Sequence, residues 1–119
     1  MPSNRIAVTP PMLADIPGLF DPLRALGLSV DINPGPYPLD APALARFVGD
    51  APAALIGLDP VDQSLLAACP HLRHVARNGV GMDTVDLDAA TRRGVLVTAP
   101  YGANIRAIRD AASAVLKAA

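Results

Sequence analysis

The 119 residues hold one cysteine, no tryptophan, two phenylalanines and two tyrosines. A lone Cys69 has no partner for an internal disulfide, and no leader-like segment opens the chain, so a reducing, cytosolic setting is expected. With so few rings, the core must be built from Ala, Val, Leu and Ile. Charge of either sign is also missing in excess: ten basic against eleven acidic residues leave a net −1. Without a basic patch, nucleic acid is not an expected partner. No apolar run approaches the roughly 20 residues that span a bilayer, so a membrane is not expected either.

What the chain has in plenty is proline, thirteen in all. Most lie between residues 10 and 60, where they punctuate apolar segments. "RIAVT" (5–9) reads as a short buried strand ended by Pro10 and Pro11. Residues 12–27 read as a helix with Gly27 as its stop. "LSVDI" (28–32) alternates apolar and polar and reads as a second strand. After the turn-rich "NPGPYPLD" comes a short helix over 42–49, with Pro42 in its first turn and Gly49 at its end. "AALIGL" (53–58) is a continuous apolar run, the signature of a strand buried on both faces. Asp59 is expected to cap the next helix, with Pro60 at its first position and Asp62 in its first turn. "LRHVA" (72–76) reads as the fourth strand and "VLVT" (95–98) as the fifth. A helix over 87–93, capped by Asp86 and stopped by Gly94, lies between them, and a last helix over 105–118 follows Asn104. This alternation predicts a flavodoxin-like three-layer α/β/α fold, with a five-stranded parallel sheet in the order 2-1-3-4-5. Residues 1–119 are expected to form one domain.

The densest stretch is "RHVARNGVGMDTVDLDAATRRG" (73–94). Gly79-Val80-Gly81 follows a strand and precedes a helix, as a dinucleotide loop would. That loop needs G-x-G-x-x-G, with the third glycine letting helix and strand pack closely. Here the third position is Thr84. Asp83 and Asp86 bring negative charge to where a pyrophosphate would sit, and position 103, where an acidic residue would grip a ribose, is Ala. Two other readings of the same backbone stand. Consecutive N–H groups at a sheet's carboxyl edge form a nest for one carboxylate, with Arg77 adding charge and Asn78 able to donate or accept. Equally, a plain strand-to-helix turn can require glycine for positive φ.

Residues 72–104, "LRHVARNGVGMDTVDLDAATRRGVLVTAPYGAN", resemble the D-isomer-specific 2-hydroxyacid dehydrogenases, especially their phosphoglycerate dehydrogenase branch. The strand, the G-x-G turn, the Asp-x-x-Asp, the "AA-x-x-x-G" helix, the "V-x-V" strand and the closing turn match in order and spacing. Residues 1–71 follow the same domain by βα pattern. The resemblance implies a substrate-binding domain in which Asn78, Gly79, Val80 and Gly81 present backbone N–H groups to the carboxylate of a small 2-hydroxy or 2-oxo acid. It implies NAD for the full-length parent, held in a second domain that also carries the catalytic Arg, Glu and His. No cofactor-binding, catalytic or metal-ligating residue is therefore expected in this chain. Missing its NAD-binding domain, it is expected to be a monomer that does not transfer hydride alone. The alternative is an excised or engineered stand-alone scaffold with no ligand binding.

Three departures from the family pattern stand out. "TAPYGAN" replaces the usual "N-x-P-G-x-N" at Ala99 and Tyr101. Ile108, Arg109 and Asp110 stand where a "V-A-E" helix usually runs on. Leu58 and Asp59 follow the third strand where phosphoglycerate-specific members often carry a basic residue, which puts a phosphorylated substrate in question. The last helix places Ile105, Ile108, Ala112, Val115 and Leu116 on one stripe and charges on another face, as a helix that closes a domain would. His71 and His74 flank the fourth strand as surface or edge residues facing opposite sides, so a shared metal is not expected. Cys69 reads as a small packing residue. No nucleophile motif such as G-x-S-x-G is present.

Overall fold

A strand buried on both faces must be apolar along its whole length, and Ala53–Ile56 (β3) is buried at each residue. Four further strands flank it: Arg5–Val8 (β1), Ser29–Ile32 (β2), His74–Arg77 (β4) and Leu96–Thr98 (β5). All pair in parallel, in the order β2-β1-β3-β4-β5. The edge strands β2 and β5 have no fully buried residue, whereas the interior strands are buried at every residue but Arg5. The structure, a computed structural model, describes residues 3–77 and 84–98.

The order forces helices onto both faces. The chain steps from β1 to β2 in one direction and from β2 through β5 in the other, so right-handed crossovers put the first helix opposite the rest. Asp21–Ala25 (α1) covers one face, where Phe20, Leu23 and Leu28 meet Ile6, Val8, Ala53, Leu55 and Ala76. Ala41–Val48 (α2), Gln63–Ala68 (α3) and Leu87–Arg92 (α4) cover the other, where Leu44, Val48, Leu65, Leu66, Ala89 and Ala90 meet Ala7, Ala54, Ile56 and Val75. Each large aliphatic side chain so buried contributes about 1.5–3 kcal/mol. The expected last helix over 105–118 falls outside the described residues.

The helix stops are glycines with a mechanism. Gly27 (φ 85°) and Gly94 (φ 69°) adopt the left-handed conformation after α1 and α4. The N–H groups of Leu28 and Val95 then reach back to Leu23 O (3.2 Å) and Ala90 O (2.9 Å), closing each helix end.

Several boundaries differ from the sequence reading. The helix expected over 12–27 is a 3-10 turn, Pro11–Asp15, and a separate α1. Pro17 has no N–H to continue a helical ladder, and Gly18 turns to φ 72°. The fourth strand runs to Arg77, one residue beyond expectation. His74 is no surface residue: it is 2% exposed on a strand enclosed by β3 and β5, with Nε2 2.9 Å from Thr98 Oγ1. Asp59 does not cap α3; Asp62 does, accepting from Leu65 N–H at 2.9 Å. The helix cannot start earlier because Val61 is held as a bridge to Val85: its N–H bonds Thr84 O and its carbonyl accepts from Asp86 N–H, both at 2.8 Å.

Candidate functional site

In an open α/β sheet, ligands bind outside the carboxyl ends of the strands, at the point where strand order reverses. Here that point lies between β1 and β3, where Thr9 and Gly57 leave the sheet. It is filled by the protein's own polar groups. Asp59 is fully buried and accepts hydrogen bonds from the Thr9 hydroxyl, from Gly57 N–H (3.2 Å) and from Leu39 N–H (2.6 Å). Asn33, also buried, donates to Thr9 O (3.1 Å) and Pro36 O (3.0 Å) and accepts from Gly35 N–H (3.1 Å). These bonds offset the cost of taking a carboxylate and an amide out of water. Tyr37 completes the closure. Its hydroxyl accepts from Leu58 N–H at 2.9 Å, and its ring crosses Gly57 so closely that a β-carbon there would lie 1.8 Å from the phenol oxygen. Three loops, after β1, β2 and β3, are thus tied into one block.

The next strand end, that of β4, is different. The four residues singled out from the sequence, Asn78, Gly79, Val80 and Gly81, lie outside the described residues, but both flanks of their segment are fixed. Arg77, 4% exposed, ends β4 beside Ile56 of β3. The segment's other end, at Thr84 and Val85, is pinned to Val61 just before α3. It therefore leaves from and returns to the carboxyl edge of the sheet, beside the closed block.

The helix that follows does not offer itself to a pyrophosphate. Asp86 already occupies its N-terminus, accepting from Ala89 N–H at 3.0 Å, and Asp88 adds a second acidic residue to the first turn. Thr84, at the third-glycine position, gives its carbonyl to the Val61 bridge. A dinucleotide loop does not fit these residues.

The remaining candidates are structural. Cys69 is 1% exposed, its thiol donates to Ala45 O at 3.6 Å, and burial pushes its pKa up against an opposing backbone hydrogen bond, so it is a packing residue. Among the described residues, no three His, Cys, Asp or Glu side chains gather as a metal site. Leu58 is 57% exposed and Asp59 is turned fully inward, so neither offers positive charge to a phosphate. Thr9, Asn33, Tyr37 and Asp59 were not singled out as a group by sequence reasoning. The one sequence signal they share is a polar residue just after a strand end, at Thr9, Asn33 and Asp59, each followed by proline.

Sheet order and crossover hand define a flavodoxin-like α/β domain with its candidate site on the carboxyl edge. Within that class, the chain belongs to the D-isomer specific 2-hydroxyacid dehydrogenases: the model of that family's catalytic domain, the substrate-binding one, matches residues 16–117. It is 45% identical over 100 residues to D-3-phosphoglycerate dehydrogenase of Mycobacterium tuberculosis, covering 82% of this chain and 18% of that one. It is 43% identical over 68 residues to glyoxylate reductase of Korarchaeum cryptofilum, covering 56% of this chain and 20% of that one. The crystal structure of the TT0316 protein from Thermus thermophilus superposes with a TM-score of 0.72 at 33% identity, over 96% of this chain and 36% of that one. The chain spans about a fifth of the length of the curated relatives named here. Among the described residues, no helix is long and apolar enough to cross a membrane.

Proposed function

We propose that residues 1–119 act as one substrate-binding domain of an NAD-dependent D-2-hydroxyacid dehydrogenase. The backbone N–H groups of Asn78, Gly79, Val80 and Gly81 hold the carboxylate of a small 2-hydroxy or 2-oxo acid. The observation that carries this reading is the anchoring of their segment: it starts from buried Arg77 at the carboxyl end of β4 and finishes on the Val61–Val85 bridge. A nest of amides held at both ends is preorganised for a single anion. The relatives that support the reading are a D-3-phosphoglycerate dehydrogenase and a glyoxylate reductase, whose names share a 2-hydroxy or 2-oxo acid.

NAD supplies the hydride chemistry of such an enzyme, and among the described residues Thr84, Asp86 and Asp88 do not fit that cofactor. The chain's part is to bind and orient the acid. Alone, it turns over no substrate, works as a monomer and resides in the cytosol. The test is thermal melting in rising concentrations of pyruvate. The midpoint climbs with pyruvate in the natural chain, as mass action requires of a ligand that binds only the folded state, and stays fixed in Gly79→Val. Equal midpoints in the natural chain with and without pyruvate overturn the carboxylate grip, and NADH oxidation by the purified chain overturns its inactivity.

A further inference from the structure

Residues 34–38, which cover the end of β3 at the strand reversal, are held unlike the rest of the block. On one side of them, buried Asn33 gives its backbone N–H to Val8 O (2.8 Å) and its side-chain amide to Thr9 O (3.1 Å). On the other, buried Leu39 gives its N–H to Asp59 at 2.6 Å. Between these anchors every residue is exposed except half-buried Tyr37. Pro34, Pro36 and Pro38 have no N–H to donate. Gly35 N–H and Pro36 O bond back to Asn33, at the segment's own end. Among the described residues, one hydrogen bond ties the middle of the segment to another element: Leu58 N–H donates to the Tyr37 hydroxyl at 2.9 Å, at an exposed position.

The place where Tyr37 rests belongs to the fixed part. Gly57, the first residue past β3, gives its N–H to Thr9 Oγ1 and to Asp59, each at 3.2 Å. The Tyr37 ring fills the space a side chain at position 57 would take, with the phenol oxygen 1.8 Å and the carbon bearing it 2.7 Å from a β-carbon built there. The two ends of the segment thus rest on buried bonds, one of them to a carboxylate, and its middle on one exposed neutral bond and one ring contact. Segments held in this way open first, without the global unfolding that buried bonds require.

We propose that residues 34–38 are a strap that gates the crevice at the β1–β3 reversal, with Tyr37 as its latch and Asn33 and Leu39 as its fixed ends. Latched, the ring covers Gly57 and the edge is a wall. Released, the strap moves off while Asn33 and Leu39 stay bonded, Gly57 loses its cover, and Leu58 N–H turns to a ligand oxygen or to water. The chain therefore covers, with its own tyrosine, the crevice that doubly wound sheets use for ligands. The gate does not rest on the carboxylate reading of residues 78–81.

The test is native-state hydrogen exchange of the ¹⁵N-labelled chain in urea below its unfolding midpoint. Leu58 N–H exchanges through a local opening that urea leaves unchanged, because it exposes little surface, whereas Asn33 and Leu39 N–H exchange faster as urea rises. Tyr37→Phe, which removes only the acceptor, speeds Leu58 exchange about five-fold, the worth of one neutral hydrogen bond. Gly57→Ala, which displaces the ring, speeds it by at least as much. In both variants Asn33 and Leu39 keep their protection, which a merely structural role for the tyrosine would not allow. Leu58 protected as strongly as Leu39 in the natural chain, with the same urea dependence, overturns the gate. So does Leu58 exchange that Tyr37→Phe leaves unchanged, or a Tyr37→Phe chain in which Asn33 and Leu39 lose protection together with Leu58.

Discussion

The two halves of the carboxyl edge are built on opposite terms. Around β1, β2 and β3, Asp59, Thr9, Asn33 and Tyr37 direct their hydrogen bonds to one another and to backbone groups. At β4, the chain enters a segment with two glycines, whose ends are fixed but whose sequence carries no side chain at Gly79 or Gly81 to satisfy its own amides. A doubly wound sheet offers its crevice at the β1–β3 reversal, and here that crevice is closed by protein. On the proposed reading, closure there makes the first half a wall and leaves ligand binding to the second.

That contrast breaks most visibly at Asp59. Asp59→Ala strips the acceptor from the Thr9 hydroxyl and from Leu39 N–H, both buried, while Gly57 N–H keeps Thr9 Oγ1 at 3.2 Å, and each stranded donor costs about 1–3 kcal/mol. Urea unfolding should show a loss of about 2–6 kcal/mol, the sum for two stranded buried donors. A loss under about 1 kcal/mol would mean that water replaces the carboxylate and that the block is not closed.

The amino edge of the sheet offers a control. Arg5 donates to Val48 O (2.7 Å) and Phe47 O at the end of α2, lies over the Phe47 ring, and pairs with Asp31 at 2.8 Å. Half-exposed Asp31 makes the ion pair itself weak, so the carbonyl contacts dominate. Arg5→Ala should cost about 1–2 kcal/mol in the same measurement, little altered by salt, and should leave acid binding untouched.

A smaller effect is expected from His74. Burial lowers its pKa below the ordinary 6.5, so the unfolded chain takes up a proton more readily than the folded one. The stability it contributes is complete above about pH 6.5 and falls as pH drops through that value toward the folded pKa, where it levels off. His74→Gln should flatten this slope in denaturation curves taken from pH 8 to 5. An unchanged slope would assign it to other groups.

How much of this was legible in the sequence follows from how far apart the deciding residues lie. β3 announced itself as a short apolar run and β2 as an alternating one, and with five strand-like segments alternating with helices, right-handed crossovers left few sheet orders. Gly27 and Gly94 were readable as stops because a left-handed residue after a helix is a local requirement. Pro17 and Gly18 were equally visible, yet the apolar periodicity around them suggested one helix where there are two elements. Asp59 looked like a cap because the residues around it allow one; its true partners, Thr9 and Leu39, are 50 and 20 residues away. Tyr37 and Gly57 form their contact across a similar gap, and neither residue type announces it. His74 gave no sign of burial because a histidine at a strand start is usually near a surface. The glycine segment was legible as a motif, and the aspartates that argued against a nucleotide include the Asp86 that caps α4.

The most direct test of the contrast is a map of backbone amide shifts over the whole carboxyl edge during a pyruvate titration. The account predicts saturable shifts at Gly79 and Gly81, with the amides of Gly35 and Leu39 inside the closed block left in place. Shifts centred on Gly35 and Leu39, with Gly79 and Gly81 unmoved, would contradict it.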